Sequence, residues 1–157
     1  MEEDIRLFDN AFFGLSPRDA QSMDPQHRLL LEAVYEGVES AGYSISHLRG
    51  SNTGVFVGRS SGDYGGMMAQ DLENYHPSGL TGTAASILAN RVSYFFDWTG
   101  PSMALDTACS SGMLALHLAV QALRAGETKV AVAASTNMLL GPEAFIGLGQ
   151  VRGPWNT

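Results

Sequence analysis

Apolar residues recur at three- and four-residue spacing along two long stretches of the chain. Leu29, Leu30, Ala33, Val34, Val38 and Ala41 hold that period until Gly42, and Met113, Leu114, Leu116, Leu118, Val120 and Leu123 hold it until Gly126. Both read as amphipathic helices closed by a glycine that tolerates the left-handed backbone of a C-terminal cap. Asp24-Pro25 supplies the first with an N-cap and a proline at the opening position, and Ser16-Pro17 repeats the signal over a shorter segment ending near Ser22. Ile87, Leu88, Val92, Phe95 and Phe96 predict a further helix over 81–97. TGVFVG (53–58) and KVAVAAST (129–136) are compact runs of small and β-branched residues and predict buried strands. SMALDTA (102–108) follows the breaker pair Gly100-Pro101, is too brief for a helix, and predicts a third. Strand, helix and strand at this spacing form a βαβ unit, so a parallel crossover and a layered α/β sheet are expected. Residues 46–52 read as a loop and 67–82 as a weakly patterned surface excursion, helical in part. Phe8, Phe12 and Phe13 are the expected core aromatics, and Trp98 reads as core or interface.

Cys109, the single cysteine, lies where the third strand gives way to the long second helix. A thiol with an ordinary pKa of about 8.5 is only a few per cent ionised near neutrality, and the thiolate is the nucleophile. A helix N-terminus stabilises an anion by about 0.3–1 kcal/mol, up to about 2, which converts to roughly one pKa unit. The same unpaired N–H groups can receive the oxyanion of an acyl intermediate, and Ser110, Ser111 and Gly112 are small enough to admit an acyl group. A buried, inert cysteine fits the pattern as well, and the pattern alone leaves both readings open.

Other candidates carry less. Gly58-Arg59-Ser60-Ser61-Gly62 fits the G-x-S-x-G elbow of serine hydrolases. That motif needs an apolar helix directly afterwards, whereas Asp63, Tyr64, Gly65 and Gly66 follow; Ser60 therefore reads as part of a glycine-rich loop. His117 stands eight residues beyond Cys109 on the same helix, about 12 Å along the axis and about 80° around it, too far to act as its base. Asp24 and Glu32 read as a cap and a solvated face, and Asn90 and Arg91 as capping or surface groups. Gly147-Leu148-Gly149 lacks the third glycine and the preceding strand of a dinucleotide fingerprint.

Composition narrows the classes. A length of 157 residues favours one domain, and 45% hydrophobic with 16% charged residues is globular composition. A net charge of −7 argues against nucleic acid, whose phosphates need clustered lysine and arginine. One cysteine makes no internal disulfide, and no Cys/His cluster suggests zinc. The first residues are acidic, unlike a leader peptide, and no apolar run approaches the length of a membrane span. A soluble cytoplasmic protein without a bound cofactor is the expectation.

ALDTACSSGMLALHLAVQALRAGE (104–127) resembles the active-site segment of β-ketoacyl synthase domains, above all those of type I polyketide synthases. FDNAFFGLSPRDAQSMDPQHRLLLEAVYEGVESAG, TGVFVG and TGTAASILANRVSYFFDWTGPS resemble three further blocks in the family's order, from about Phe8 to Phe145. The resemblance implies a thiolase-like layered α-β-α-β-α fold of which only the N-terminal half is represented, over 1–146, with 147–157 an off-pattern tail and the family's first strand missing. It implies that Cys109 is acylated by the growing chain. A malonyl-type extender, held as a phosphopantetheine thioester on an acyl carrier protein, then decarboxylates and attacks. It also implies a homodimer whose interface lies near the strand matching 129–136. The two histidines that serve the family's condensation belong to its second half, and none of His27, His47, His76 and His117 stands in their contexts. Gly112 stands where the family commonly has serine. The chain alone is therefore expected to be incomplete as a catalyst, to leave a sheet edge and apolar surface uncovered, and to be poorly soluble. The alternative expectation is a non-catalytic remnant or dimerising fragment.

Overall fold

The computed structural model describes residues 5, 7–70, 73 and 77–150. Helix α1 (Pro17–Ser22) starts at the Ser16 cap, whose hydroxyl accepts from the Asp19 amide. Helix α2 (Pro25–Ser40) starts at Asp24, whose carboxylate accepts from the Gln26 amide at 2.9 Å. Gly42 follows α2 with a φ of +81°, the left-handed stop anticipated for it. Helix α3 (Ile45–Leu48) is a single turn within the stretch expected to be a loop; the Ser44 side chain caps it, a local signal too short to register as periodicity.

Strand β1 (Thr53–Arg59) is buried along its whole length. Helix α4 (Asp63–Met68) and helix α5 (Gly79–Thr83) overlap the two ends of the surface excursion. The helix expected over 81–97 is interrupted: Ala84 is extended, with ψ at 129°, and a separate helix α6 (Ala85–Phe96) begins after it. Strand β2 (Ser102–Leu105), helix α7 (Ser111–Arg124) and strand β3 (Val130–Thr136) complete the βαβ unit, and helix α8 (Glu143–Gln150) follows. The 147 boundary expected for the tail falls inside α8, and residues 151–157 lie outside the described residues.

The sheet has the order β2-β1-β3 and both pairings are parallel, as the crossover required. Gly58 lies opposite Leu105 on one side and Ser135 on the other, so the C-terminal ends of all three strands come level. Alternation along β1 divides its side chains between two layers. Val55 and Val57 join Leu30, Leu31, Val34 and Val38 of α2 and Leu88, Val92 and Phe96 of α6 in the larger core. Phe56 faces the opposite way, against Ala115, Ala119 and Ala122 of α7. Phe96 stacks on Trp98 at 4.6 Å, and both are buried. Phe13 belongs to the core, whereas Phe12 is half exposed and reaches only the core's rim through edge contacts to Phe13 and Tyr35.

The apolar character of α7 does not all point inward. Its sheet-facing stripe consists of alanines, which bring the helix axis close to the strands, while Met113, Leu116 and Leu123 are 71%, 48% and 42% exposed. Tyr94, Leu80 and, on α8, Phe145 and Leu148 are also largely exposed. Both outer strands of the sheet keep an unpaired edge among the described residues, and a mainly apolar groove of about 640 Å³ runs between α2 and β3. The expectation of uncovered apolar surface therefore holds for this chain.

Candidate functional site

The turn between β2 and α7 is closed by its own polar side chains. Asp106 Oδ1 accepts from the Ala108 amide at 2.9 Å, an Asx turn. Ser111 Oγ accepts from the Thr107 amide at 2.9 Å and donates to the Ala108 carbonyl at 2.7 Å. Ser110 Oγ donates to the Thr107 carbonyl at 2.7 Å. These bonds hold Ala108 at φ +55°, a left-handed backbone that costs a residue with a Cβ about 1–3 kcal/mol and tends to mark functional turns. The strained residue is immediately followed by Cys109, which is exposed. The thiol is therefore neither a core residue nor inside the helix; it stands two residues ahead of the first residue of α7.

Not every amide of the helix end is open. Ser110 N–H donates to the Thr107 carbonyl at 3.3 Å, Ser111 N–H to the Ala108 carbonyl at 3.0 Å, and Leu114 N–H to the Ser110 carbonyl at 3.0 Å. Within the first turn of α7, the amides of Gly112 and Met113 have no acceptor among the described residues. They are among the groups available to a developing oxyanion.

Alternation in the strands also places the sheet directly beneath this turn. A methyl group added at Gly58 would lie 2.5 Å from the Ser111 carbonyl carbon and 2.6 Å from the Gly112 nitrogen. One added at Gly112 would meet the Ser135 side chain at 3.0 Å. Backbone thus rests on backbone at Gly58, and Gly58→Ala is expected to destabilise the fold by about 3 kcal/mol, read as a lowered urea midpoint at unchanged slope. Gly112→Ser, the residue more usual in the resembled family, meets only a side chain and is expected to cost less.

Across the sheet lies a polar cluster that the sequence did not announce. Arg59 and Asp24 are 6% and 0% exposed and form an ion pair at 2.9 Å. The same guanidinium donates through Nε to the Ser61 carbonyl at 2.7 Å and through Nη1 to the Thr83 carbonyl at 3.0 Å. Gln26, fully buried, accepts from Thr136 Oγ1 at 3.1 Å and donates to the Ser61 carbonyl at 3.3 Å. Asp24 was legible as a cap; its second role, neutralising a buried arginine, depends on a partner 35 residues away.

None of the three described histidines is brought to the thiol. His27 is buried at 1% exposure with neither ring nitrogen hydrogen-bonded, and its pKa is lowered to about 3 by burial first and then by the charges of Arg59 and Arg91. His47 is exposed and stacks on Tyr43, and His117 is exposed on α7. His76 lies outside the described residues. Ser60 is exposed, with its hydroxyl donating to Asn137 Oδ1 at 3.2 Å, and among the described residues no histidine or acid partners it. The elbow pattern around it is a loop stapled to the chain after β3, for Ser61 Oγ donates to the Met138 carbonyl and Asp63 accepts from the Leu140 amide. A cavity of about 240 Å³ opens beside Asp106, floored by Ala104, Leu105, Arg59 and Ser60 at the ends of β1 and β2. Ligands of open parallel sheets bind at this end of the strands. Among the described residues no His/Cys/Asp/Glu group has the makings of a metal site, and no helix is long and apolar enough to cross a membrane.

Comparison with known proteins agrees with this geometry. The model of the β-ketoacyl synthase N-terminal domain matches residues 1–155. The chain is 56% identical over 146 residues to the highly reducing polyketide synthase bet1 of Neocamarosporium betae, covering 93% of this chain and 5% of that protein. It is 60% identical over 141 residues to reducing polyketide synthase 8 of Fusarium mangiferae, covering 90% and 6%. Among solved structures it superposes on the oxazolomycin ketosynthase domain OzmH KS7 of Streptomyces albus with a TM-score of 0.84 at 42% identity, covering 93% of this chain and 26% of that one. A ketosynthase from module 6 of the bacillaene synthase of Bacillus subtilis gives 0.84 at 36% identity, covering 95% and 24%. The chain thus spans about a quarter of the solved ketosynthases and about a twentieth of the curated synthases it matches. With the strand order, the thiol-bearing turn and these likenesses together, the chain belongs to the β-ketoacyl synthase family, represents its N-terminal domain, and carries the corresponding part of the thiolase-like fold.

Proposed function

We propose that this chain is the thiol-bearing part of a polyketide-forming β-ketoacyl synthase and that Cys109 is its acyl acceptor. In the first step the Cys109 sulfur attacks the carbonyl carbon of an acyl thioester. The tetrahedral oxyanion collapses, the carbon–sulfur bond to the phosphopantetheine arm of an acyl carrier protein breaks, and the carrier thiol leaves with the proton. In the second step a malonyl-type thioester loses carbon dioxide, its enolate carbon attacks the Cys109 acyl group, and the Cys109 thiolate is released. The observation that supports this most directly is the exposed Cys109 on the strained Ala108 turn, ahead of two open amides. The small residues Ser110, Ser111 and Gly112 that follow the thiol, and a cavity beside Asp106 at the other end of the same turn, favour an acyl group there. The groups that promote decarboxylation are assigned to residues beyond this chain, because none of its described histidines faces the thiol. We place the synthase portion at 1–146 with 147–157 as a tail, and take the partners to be an acyl carrier protein and a second copy meeting near 129–136, in the cytoplasm, with no cofactor bound to the chain itself.

The two steps separate experimentally. Incubation with a short acyl thioester is expected to add one acyl mass to the chain, on Cys109, with no condensation when malonyl carrier protein follows. Steady turnover by the 157 residues alone contradicts the division of labour, and a thiol that takes up no acyl group favours the non-catalytic remnant instead.

A further inference from the structure

The two faces of the sheet carry different tasks at one level. In register, Gly58 lies beside Ser135 and Arg59 beside Thr136. Gly58 and Ser135 contact the first turn of α7, through the Ser111–Gly112 backbone and through Gly112 respectively. Their immediate neighbours Arg59 and Thr136 are held on the opposite face by Asp24 and Gln26, the cap and second residue of α2. Each of the two strand ends is therefore gripped from below one residue after the point on which the helix of the thiol rests.

We propose that the buried Asp24–Arg59 pair and Gln26 are positioning residues for the Cys109 turn, acting across the sheet through Gly58 and Ser135. The reading rests on Cys109 being the nucleophile. The grip fixes the height of the two strand ends, and backbone contact passes that height to Ser111. Ser111 in turn anchors both Thr107 and Ala108, so its position sets the backbone from which Cys109 projects. Gln26 is the joint between the strands: it bonds Thr136 of β3, and together with Arg59 it bonds the Ser61 carbonyl just beyond β1. A cluster needed only to fill the core would be replaceable by apolar groups of equal volume, because buried ion pairs and their polar companions contribute little net stability. A positioning cluster is not.

The experiment uses the full chain, in which Cys109 is the single cysteine, so iodoacetamide alkylation reports one site. The alkylation rate is measured from pH 6 to 10, with thermal unfolding alongside, for the wild type, Gln26→Met, Thr136→Val, Thr136→Ser and, as a stability control remote from the strand ends, Val38→Ala. Gln26→Met and Thr136→Val are expected to slow alkylation at pH 7 by about 3- to 10-fold, the scale of one lost hydrogen bond, and to move the pH profile. Thr136→Ser keeps the hydroxyl and is expected to restore the wild-type profile, while Val38→Ala lowers the melting temperature and leaves the profile in place. The proposal is overturned if Val38→Ala shifts the profile as far as Gln26→Met does, if Thr136→Ser behaves as Thr136→Val, or if all variants match the wild type. Failure of the acyl-acceptor reading looks different: the wild-type thiol would alkylate yet take up no acyl group from a thioester.

Discussion

Cys109→Ala protein offered an acyl thioester is expected to gain no mass, and Cys109→Ser to gain almost none. Sulfur is intrinsically the stronger nucleophile, whereas a serine hydroxyl there has no base to take its proton, since none of the described histidines faces the turn. Removing a nucleophile of this kind costs on the order of 10⁴–10⁶ in rate, the scale seen when one is deleted from an enzyme that otherwise keeps its binding site. Both substitutions leave the fold alone: the side chain is exposed, and the Asx turn and the two serine bonds that shape the loop come from Asp106, Ser110 and Ser111. Intact-mass spectrometry with unchanged circular dichroism is the measurement. Acylation of Cys109→Ala at the wild-type rate would place the acceptor elsewhere.

Acid lability is the second large effect. His27 sits in the fold as a neutral imidazole, buried first of all and facing the charges of Arg59 and Arg91, with a pKa near 3 against 6.5 in the unfolded chain. A lowered folded pKa means that the unfolded chain binds the extra proton between these values. The stabilisation is therefore complete above pH 6.5 and declines as pH falls toward 3. The ceiling, from the difference between the two pKa values at 1.36 kcal/mol per unit, is about 5 kcal/mol. Carboxylates that titrate in the same range add their own dependence, so the informative quantity is a difference. Urea midpoints of wild type and His27→Met, compared at pH 7.5 and pH 4.5, are expected to converge in favour of the variant as the pH falls. A pH-independent difference between them would mean that His27 takes up a proton in the fold, and would require an acceptor that its two unpartnered ring nitrogens do not have.

The two effects touch the same architecture from opposite sides. His27 and Gln26 belong to the first turn of α2, under the strand ends, and Cys109 stands above them. A protonated His27 places a third positive charge beside Arg59, whose single described carboxylate partner is Asp24. Acid is thus expected to loosen the grip on β1 and β3 before it reaches the remaining core.

Local chemistry was legible wherever it was self-contained. Asp24-Pro25 and Ser16-Pro17 start helices because a side-chain oxygen and a fixed φ act within one turn, and Gly42 and Gly126 end them because only a left-handed residue fits there. The three strands and the parallel crossover followed from short apolar runs separated by a helix-length segment. The placement of Cys109 between β2 and α7 followed from the same change of period. The break at Ala84 was not legible, since the apolar spacing runs on through it and the carbonyls just before it are held by distant groups, Gly82 by the Asp24 amide and Thr83 by Arg59.

What the chain determined by itself is therefore the order of its elements, the caps that bound them, and the presence of one thiol at a strand-to-helix junction. What only tertiary structure decided is which groups meet. Arg59 finds Asp24 35 residues away, Thr136 finds Gln26 110 residues away, and α7 turns its alanines rather than its leucines to the sheet. The reason is physical: a cap or a turn is satisfied within a few residues, whereas the pairing of a buried charge and the closeness of a helix to a strand are fixed by volumes and registers that exist only once distant segments have packed.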